Sequence, residues 1–374
     1  MSLSKAKIAL VFDWMTVRGG AEKVNHQLHK IFKDAPIYCS IFDKSRHQEF
    51  LDAEIHTSLI DKLPFSKDKH QLYLSLMPQA YESFDLSEFD IVISSSHSCA
   101  KGIITKPSTL HISYCHSPMR YAWDNWQEYI QNYSTNRIVK SIAKRKMHKI
   151  RMWDRLSAER VDYFIANSRT TKRRIEKYYN KPATIIHPSI DCSKYKLAEK
   201  SKGYFLAVGR LTPYKKFDLI IETFNKIGLP LKIVGTGSDE DRLKGMAMGN
   251  IEFLGYTEDK ELKKLYSECE ALIFPQVEDF GLTPLECMAS GRPVIALREG
   301  GALDTVVEDK TGVFFNKQNP EQLKKAIKYF QENKRKFKKS QIREHAEEFD
   351  KSQFKKEMIK YINNKWKHWQ EFRR

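Results

Sequence analysis

The sequence has no run of about 20 apolar residues, the length that a helix needs to cross a membrane. Its first residues, Met1 to Lys7, are polar and lead directly into a strand-like run, which is not the pattern of a secretion signal. These absences lead us to expect a cytoplasmic protein. Apolar residues still make up 41% of the 374 residues, enough for sizeable cores, so wholesale disorder is excluded.

Metal-binding patterns are also missing. None of the six cysteines belongs to a C-x-x-C pair, and we interpret them as reduced packing residues. Asp239 and Asp241 resemble a D-x-D metal motif, but they fall at an expected helix start, where acidic residues are favoured in any case. No other cluster has the spacing of metal ligands, so we expect a protein that needs no metal.

Acidic residues are scarce in two segments, and this explains the charge of the chain. The segment 137–151 has seven Lys or Arg and no acid, and the segment 324–374 has seventeen Lys or Arg against seven acids. Together they account for the whole net charge of +17. A nucleic-acid-binding protein is one interpretation, but no recognised DNA or RNA motif occurs and the basic segments lack interleaved aromatic residues.

Short apolar runs alternate with helical patterns along most of the chain, which predicts an α/β fold with parallel sheets covered on both faces. The runs are Ile8–Phe12, Ile37–Phe42, Asp90–Ser95, His111–Tyr114, Val161–Ala166, Thr184–His187, Tyr204–Val208, Leu231–Gly235, Ile251–Leu254, Ala271–Pro275 and Val294–Ala296. The pattern lapses over 188–202, where we place a linker. The sequence therefore predicts two doubly wound Rossmann-like domains, 1–188 and 203–350, with ligands at the carboxyl ends of their strands.

A single apolar stripe continues along the last helical pattern. Phe354, Met358, Ile362, Trp366 and Trp369 recur at spacings of three or four residues on a strongly basic helix. The stripe either packs on the protein or places its tryptophans at a membrane interface.

The strongest chemical motif runs from Glu278 to Glu286, directly after a predicted strand. Gly281 permits a tight turn, so the amides of Leu282 and Thr283 would begin a helix and attract phosphate. Glu278 would then meet the hydroxyls of a sugar, and Glu286 would accept hydrogen bonds from a ribose diol.

Arg210 and Lys215 lie in the loop after another predicted strand. A guanidinium and an ammonium group suit a diphosphate leaving group, whose negative charge grows as the bond to it breaks. Gly235 and Gly237 follow the next strand, where they are either a nucleotide-binding loop or only a turn, and Tyr256 follows the strand after that, near the expected base.

Four further residues follow predicted strands in the first domain. Gly19 and Gly20 would let the backbone approach a ligand, or they form a plain turn; the third glycine of the dinucleotide fingerprint is missing, so NAD is a poor candidate. His116 lies at a strand end in the expected cleft, whereas His97 fits either a core or a cleft position.

Taken in order, these stretches resemble the retaining GT-B glycosyltransferases of family 4 over nearly the full chain. The residues Glu278 to Glu286 resemble the E-x(7)-E element of the family, and Arg210 and Lys215 resemble its diphosphate-binding pair. Gly19–Gly20 resemble its glycine loop, and His116 resembles its cleft histidine. The resemblance implies two domains facing each other across a cleft, with the final helix, 352–374, crossing back to the first domain. It also implies donor binding by the C-terminal domain and acceptor binding by the N-terminal one.

Other stretches resemble a narrower subgroup, the bacterial mannosyltransferases that assemble O-antigen, capsule or exopolysaccharide. These stretches are Ser113–Asp124, Arg151–Asp154 and Ile165–Ser168. The expected donor is then GDP-mannose, with a UDP-sugar as the alternative, and the expected acceptor is a glycan or a lipid-linked sugar. A sugar-nucleotide epimerase of the same fold is a further alternative, because fold alone does not decide function.

The basic segment 137–151 fits a lipid-linked acceptor. Ile138, Ile142, Ile150 and Trp153 would form one face of a helix surrounded by lysine and arginine, a pattern that binds anionic bilayers. A basic face exposed only to solvent is the alternative.

Overall fold

The protein is described here by a computed structural model that covers residues 3–124, 126–127 and 137–371. Contacts between residues divide the chain into two compact units. We call residues 1–187 together with 355–374 the N-terminal unit, and residues 188–354 the C-terminal unit. Each unit is built around a parallel sheet with helices on its faces, as the alternating pattern predicts.

The sheet of the N-terminal unit has seven strands in the described part of the chain, in the order β3-β2-β1-β4-β5-β6-β7. The strands are Ile8–Phe12 (β1), Ile37–Cys39 (β2), Ile55–Thr57 (β3), Ile91–Ser96 (β4), Leu110–Cys115 (β5), Tyr163–Ala166 (β6) and Ala183–Ile185 (β7). Because every neighbouring pair is parallel, the carboxyl ends of all strands meet at one edge. Strand β3 was not predicted, since Ile55 is its only apolar residue and the sequence there shows no apolar run.

Both faces of this sheet are covered. The helices are Gly20–Ile31 (α1), Met77–Glu82 (α2), Arg137–Ser157 (α3) and Arg169–Tyr179 (α4). Ala9, Val11 and Val92 pack in one core cluster with Met77 of α2 and Met147 of α3. The residue after Val11, Phe12, points to the other face of the sheet and contacts Phe50 at a ring separation of 6.3 Å.

Helix α3 corrects one prediction. Ile150 is buried in the core, whereas Ile142 is exposed, so they do not share an outward face. Trp153 is partly buried, and its ring nitrogen donates to the Glu82 carboxylate at 2.8 Å. The side chain of Ile138 lies outside the described residues.

The sheet of the C-terminal unit has six parallel strands in the order β10-β9-β8-β11-β12-β13. The strands are Phe205–Val208 (β8), Leu231–Val234 (β9), Ile251–Gly255 (β10), Leu272–Phe274 (β11), Val294–Leu297 (β12) and Gly312–Phe315 (β13). Strand β13 was not predicted, because its first residue, Gly312, is typical of a turn and conceals the start of the apolar run. Its partner β12 is buried along its full length.

The helices of this unit and the last helix of the chain are Phe217–Ile227 (α5), Glu240–Met246 (α6), Asp259–Glu268 (α7), Leu282–Ala289 (α8), Ala302–Thr305 (α9), Pro320–Glu332 (α10), Lys339–Glu347 (α11) and Lys351–Glu371 (α12). In the part of the chain that the structure describes, none is long and apolar enough to cross a membrane.

The segment between the sheets and the last helix belong to different units. Residues 188–202, predicted as a linker, are held by the C-terminal unit, where Arg343 donates to the Cys192 carbonyl at 2.8 Å. Most of α12 belongs to the N-terminal unit, as the family resemblance implies. Trp366 is buried there, so the apolar stripe packs on the protein, and the Trp369 ring nitrogen donates to the Ser108 carbonyl at 3.4 Å. Residues 372–374 lie outside the described range.

Candidate active site

The carboxyl edge of the C-terminal sheet gathers most of the residues singled out by sequence. Arg210 and Lys215 follow β8, Gly235 and Gly237 follow β9, and Glu278 follows β11. Parallel strands bring these loops to one edge of the sheet, which is where ligands of doubly wound folds bind.

Lys215 and Glu278 form an ion pair through Lys215 Nζ and Glu278 Oε1. Both side chains are largely shielded from water, so the pair is stronger than one on an open surface. Arg210 is exposed, and no carboxylate pairs with it within the described residues. The loop after β8 therefore offers one anchored cation and one free guanidinium.

Helix α8 begins at Leu282, shortly after Glu278 in the loop that follows β11. Gly281 caps the helix with a φ of +86°, and a Cβ there would lie 2.9 Å from the Phe274 ring. Leu282 and Thr283 are the first two helical residues, so their N–H groups have no carbonyl within the helix to donate to. Pro284 comes next and has no N–H. Two amides at a positive helix end form an anion-binding feature.

Glu286 lies inside α8 and is buried. Its Oε2 accepts a hydrogen bond from Tyr266 at 3.0 Å. Burial first, and the charge of Glu286 second, raise the pKa of the Tyr266 phenol well above its usual value, so it remains a donor. Part of the hydrogen-bonding capacity of Glu286 is thus used within the protein; its contact with ribose stays a prediction.

Gly235 and Gly237 are required by packing against the Arg210 loop. A Cβ on Gly235 would lie 1.9 Å from the Gly209 carbonyl oxygen, and one on Gly237 would lie 2.1 Å from that of Leu211. Leu211 in turn donates its N–H to the Thr236 carbonyl at 2.9 Å. Close packing of the two loops therefore explains why both positions are glycine, whether or not a nucleotide binds there.

Two other candidates of this unit are Tyr256 and Asp239. The Tyr256 side chain, directly after β10, is 81% exposed. Asp239 accepts two hydrogen bonds of 2.6 Å from Arg242, and this pairing lowers its pKa. Among the described residues no group of three or more His, Cys, Asp or Glu side chains is arranged to hold a metal ion.

The carboxyl edge of the N-terminal sheet holds a separate group. Helix α1 begins at Gly20, with Gly19 as its extended cap residue. His116, directly after β5, is nearly buried, and its Nε2 lies 2.8 Å from Ser95 Oγ. Burial lowers its pKa to about 3, with a smaller contribution from His97, so the imidazole is neutral near pH 7.

Asp13 is the main residue here that sequence reasoning missed. Its carboxylate accepts hydrogen bonds from the N–H groups of four consecutive residues, His97, Ser98, Cys99 and Ala100, at 2.6 to 2.8 Å. Burial alone would raise its pKa, but His97 and the amide donors outweigh burial and lower the pKa to about 2. An aspartate immediately after a buried strand was the available signal.

His97 is linked to the same carboxylate. Its Nδ1 lies 3.0 Å from Asp13 Oδ2. Burial lowers the pKa of His97, but the charges of Asp13 and of the buried Glu22 raise it further, so the net shift is upward. Near pH 7 this edge therefore places a neutral His116 beside a His97 that holds its proton more strongly than usual.

Two protein-family models match the chain. The one described as glycosyltransferase family 4 matches residues 18–194, and the one described as glycosyl transferases group 1 matches residues 191–352. Between them they contain all the site residues discussed above except Asp13.

Curated relatives are similar at modest identity. The O-antigen chain mannosyltransferase RfbU of Salmonella typhimurium is 29% identical over 47% of this chain and 56% of its own length. The alpha-1,3/1,6-mannosyltransferase of Schizosaccharomyces pombe is 24% identical over 82% of this chain and 70% of its own length. The chain spans about half the length of most of the first curated relatives it matches.

Solved structures share the fold over nearly the whole chain. HepE of Anabaena, in complex with UDP, superposes with a TM-score of 0.70 at 16% identity, covering 96% of this chain and all of its own. Sucrose-phosphate synthase of Thermosynechococcus elongatus gives a TM-score of 0.75 at 14% identity, covering 96% and 99% of the two chains.

Proposed function

The chain belongs to the GT-B glycosyltransferases of family 4, and we propose that it transfers mannose from GDP-mannose, with retention, to a glycan or lipid-linked acceptor. The acceptor would be an intermediate in the assembly of a cell-surface polysaccharide. The observation that carries the proposal is the ion pair of Lys215 and Glu278 beside the amide-lined start of α8, because it joins a cation for the phosphates to a carboxylate for the sugar.

The donor would bind at the carboxyl edge of the C-terminal sheet. Arg210, Lys215 and the amides of Leu282 and Thr283 would hold the diphosphate and stabilise its growing negative charge as the bond to the sugar breaks. Glu278 would contact the sugar hydroxyls and Glu286 the ribose. With two cations and two amides for this task, we propose that the transfer proceeds without a metal ion.

The acceptor would bind at the carboxyl edge of the N-terminal sheet. Its hydroxyl oxygen would form the new bond to the sugar carbon as the bond to the diphosphate breaks, and the hydroxyl proton would leave with the diphosphate. His116 would stand near the reactive face of the sugar. Its depressed pKa favours a neutral imidazole, which can accept or donate a hydrogen bond without adding a positive charge.

Mannose as the transferred sugar is supported by the names of two relatives, both mannosyltransferases. A UDP-sugar is the second candidate donor, because HepE of similar fold was solved with UDP. A thermal-shift panel of GDP, UDP, ADP, GDP-mannose and UDP-sugars, without metal, separates the two. A nucleotide at 100 times its dissociation constant stabilises by about 2.7 kcal/mol.

A selective shift with GDP compounds is the expected result. A shift with UDP compounds alone would refute GDP-mannose as donor, and no shift with any nucleotide would refute the catalytic proposal itself. Arg210→Ala serves as the matched control. This variant should keep its contacts with the base and ribose of the nucleotide and lose the part of the thermal shift that comes from the phosphates.

We also propose that the protein is cytoplasmic and contacts the anionic inner face of the plasma membrane through α3. Ile142, Met152 and Leu156 are exposed on this helix among Lys144, Arg145 and other basic residues. Basic residues near an anionic surface each contribute about 1 kcal/mol to binding.

A further inference from the structure

A second apolar surface lies in the N-terminal unit, in a segment that no motif marks. We call residues 59–76 the apolar segment. Five of its large apolar side chains are exposed, namely Leu59, Leu63, Phe65, Leu72 and Leu76. Leu59, Phe65 and Leu72 expose 81%, 69% and 64% of their surface. Large apolar side chains gathered in this way on a folded surface indicate an interaction site.

The backbone of the apolar segment is well ordered by its own hydrogen bonds. The Tyr73 hydroxyl donates to the Pro64 carbonyl at 2.6 Å, and the Ser66 hydroxyl donates to the Asp61 carbonyl at 3.0 Å. Ile60 is buried in the core below. The exposed side chains are therefore held outward by a fixed frame.

Phe65 is the least ordinary position of the segment. Its φ of +58° is in the left-handed region, where a bulky side chain is strained. Its carbonyl accepts from the Lys69 N–H at 2.7 Å, which closes a turn with the ring at its tip. The Lys69 ammonium lies over the ring at 5.8 Å from its centre, and 69% of the side-chain surface is still exposed to water.

The charge around these side chains fits an anionic partner. The two acids of the segment are both engaged, Asp61 with the Phe42 N–H at 3.0 Å and Asp68 with Arg46 at 2.7 Å. Lys62, Lys67 and Lys69 are exposed, and in the described part of the chain none of the three pairs with a carboxylate. Lysines beside exposed leucine and phenylalanine form the composition of an interfacial membrane contact.

The apolar segment also adjoins the candidate acceptor edge. His70 stacks on Trp14, just beyond the end of β1, at a ring separation of 4.8 Å, and its Nδ1 lies 3.1 Å from Thr16 Oγ1. Trp14 contacts His97 edge-on at 5.0 Å. The segment belongs to the same sheet-covering layer as α3, because Ile60 and Ile150 share one core cluster.

We propose that the apolar segment inserts into an anionic lipid bilayer, with Phe65 and Leu72 entering the acyl boundary and its lysines contacting the headgroups. The lipid contact itself stands apart from catalysis. Its consequence, that a lipid-linked acceptor reaches the edge near Trp14, rests on the proposed function.

Binding to vesicles of phosphatidylcholine, with and without phosphatidylglycerol, tests the proposal by co-sedimentation of the full chain. Phe65→Asn combined with Leu72→Gln removes the apolar groups, and asparagine tolerates the left-handed backbone at position 65. We expect at least a tenfold loss of partitioning, about the value of one buried apolar side chain. Leu51→Gln is the matched control, an exposed leucine beside Phe50 on the other face of the sheet.

The charge contribution is measured separately. Changing Lys62, Lys67 and Lys69 to glutamine should weaken binding only to vesicles that contain phosphatidylglycerol, by about fivefold per lysine. A control triple variant at exposed lysines of the C-terminal unit, Lys226, Lys310 and Lys317, should bind as the wild type does.

Insertion itself is observed with a polarity-sensitive dye. All six native cysteines are buried, and burial raises the thiol pKa of Cys39 and Cys99, so a new exposed cysteine is labelled selectively. The emission of dye on Leu72→Cys should shift to the blue on adding vesicles, and that of dye on Leu51→Cys should not.

Equal partitioning of the wild type and the Phe65→Asn, Leu72→Gln variant would overturn the proposal, as would an equal loss with Leu51→Gln. The GDP thermal shift is recorded on the same samples. Normal vesicle binding without a nucleotide shift would refute the proposed function and leave the lipid contact standing. A normal nucleotide shift without any vesicle binding would refute the lipid contacts of both the apolar segment and α3, and would leave the proposed nucleotide site standing.

Discussion

Replacing Gly237 by alanine should distort the proposed donor site through the backbone alone. The new Cβ would lie 2.1 Å from the Leu211 carbonyl oxygen, whereas ordinary van der Waals contact begins at 3.4 Å. The two loops must therefore separate by about 1.3 Å. Because the atom met is a backbone carbonyl and not the end of a flexible side chain, no rotamer change relieves the contact.

The cost follows from what the Leu211 loop must give up. Its N–H bonds the Thr236 carbonyl at 2.9 Å, and its carbonyl accepts from the Asp239 N–H at 3.1 Å. Losing or stretching these two bonds costs about 2 kcal/mol, and overpacking costs are of similar size. For a unit of this size we expect a fall in Tm of roughly 4–8 °C.

Gly245→Ala is the matched control, because a Cβ there meets nothing within 4 Å and the residue lies in helix α6. It should leave stability unchanged or raise it by about 0.5–1 kcal/mol. Thermal unfolding and urea denaturation compare the two variants, and the nucleotide thermal shift reports on the neighbouring Arg210. If Gly237→Ala and Gly245→Ala unfold alike, the argument from close backbone approach is wrong.

Three further perturbations test two residues of the candidate site and one histidine of the core. Lys215→Met should lower the transfer rate by about 10²–10³-fold, because it removes a cation that would stabilise the leaving group. Lys226→Met, at an exposed lysine of the same unit, is the control, and equal rates of the two variants would contradict the role assigned to Lys215. Asp13→Asn should lower the free energy of unfolding by about 2–4 kcal/mol, because the new side-chain NH₂ would face backbone N–H groups that now donate to the carboxylate. It should also lower the His97 pKa, because the negative charge beside His97 is lost. An unchanged His97 titration by NMR would refute this. Burial lowers the pKa of His111 to about 4, below its value in the unfolded chain. The contribution of the neutral imidazole to stability is therefore complete above about pH 6.5 and is lost as the pH falls. At pH 5 the loss in the free energy of unfolding is about 2 kcal/mol. His111→Gln should therefore flatten the dependence of the urea midpoint on pH over this range, and an unaltered slope would exclude His111 as its source.

Local patterning was sufficient to predict much of the fold. The run Ile8–Phe12 is a strand with exactly the predicted bounds because five consecutive apolar residues fill a strand that is covered on both faces. Two strands were missed because their composition hides the apolar run: Ile55–Thr57 has a single apolar residue, and Gly312–Phe315 begins with a residue that is typical of turns. The face of α3 was mispredicted for a related reason: composition reveals an amphipathic helix, but packing decides which apolar residues enter the core.

Residue type and local order were enough to predict the two-sheet α/β plan and the glycine at the start of α8. They also predicted the strand ends that carry Arg210, Lys215, Glu278 and His116. The contacts between distant groups are visible only in the folded chain: Lys215 with Glu278, Asp13 with four amides 84 to 87 residues away, and Gly237 with the Leu211 carbonyl. These contacts arise because parallel strands bring loops that are far apart in sequence to one edge, a closeness that no local pattern encodes.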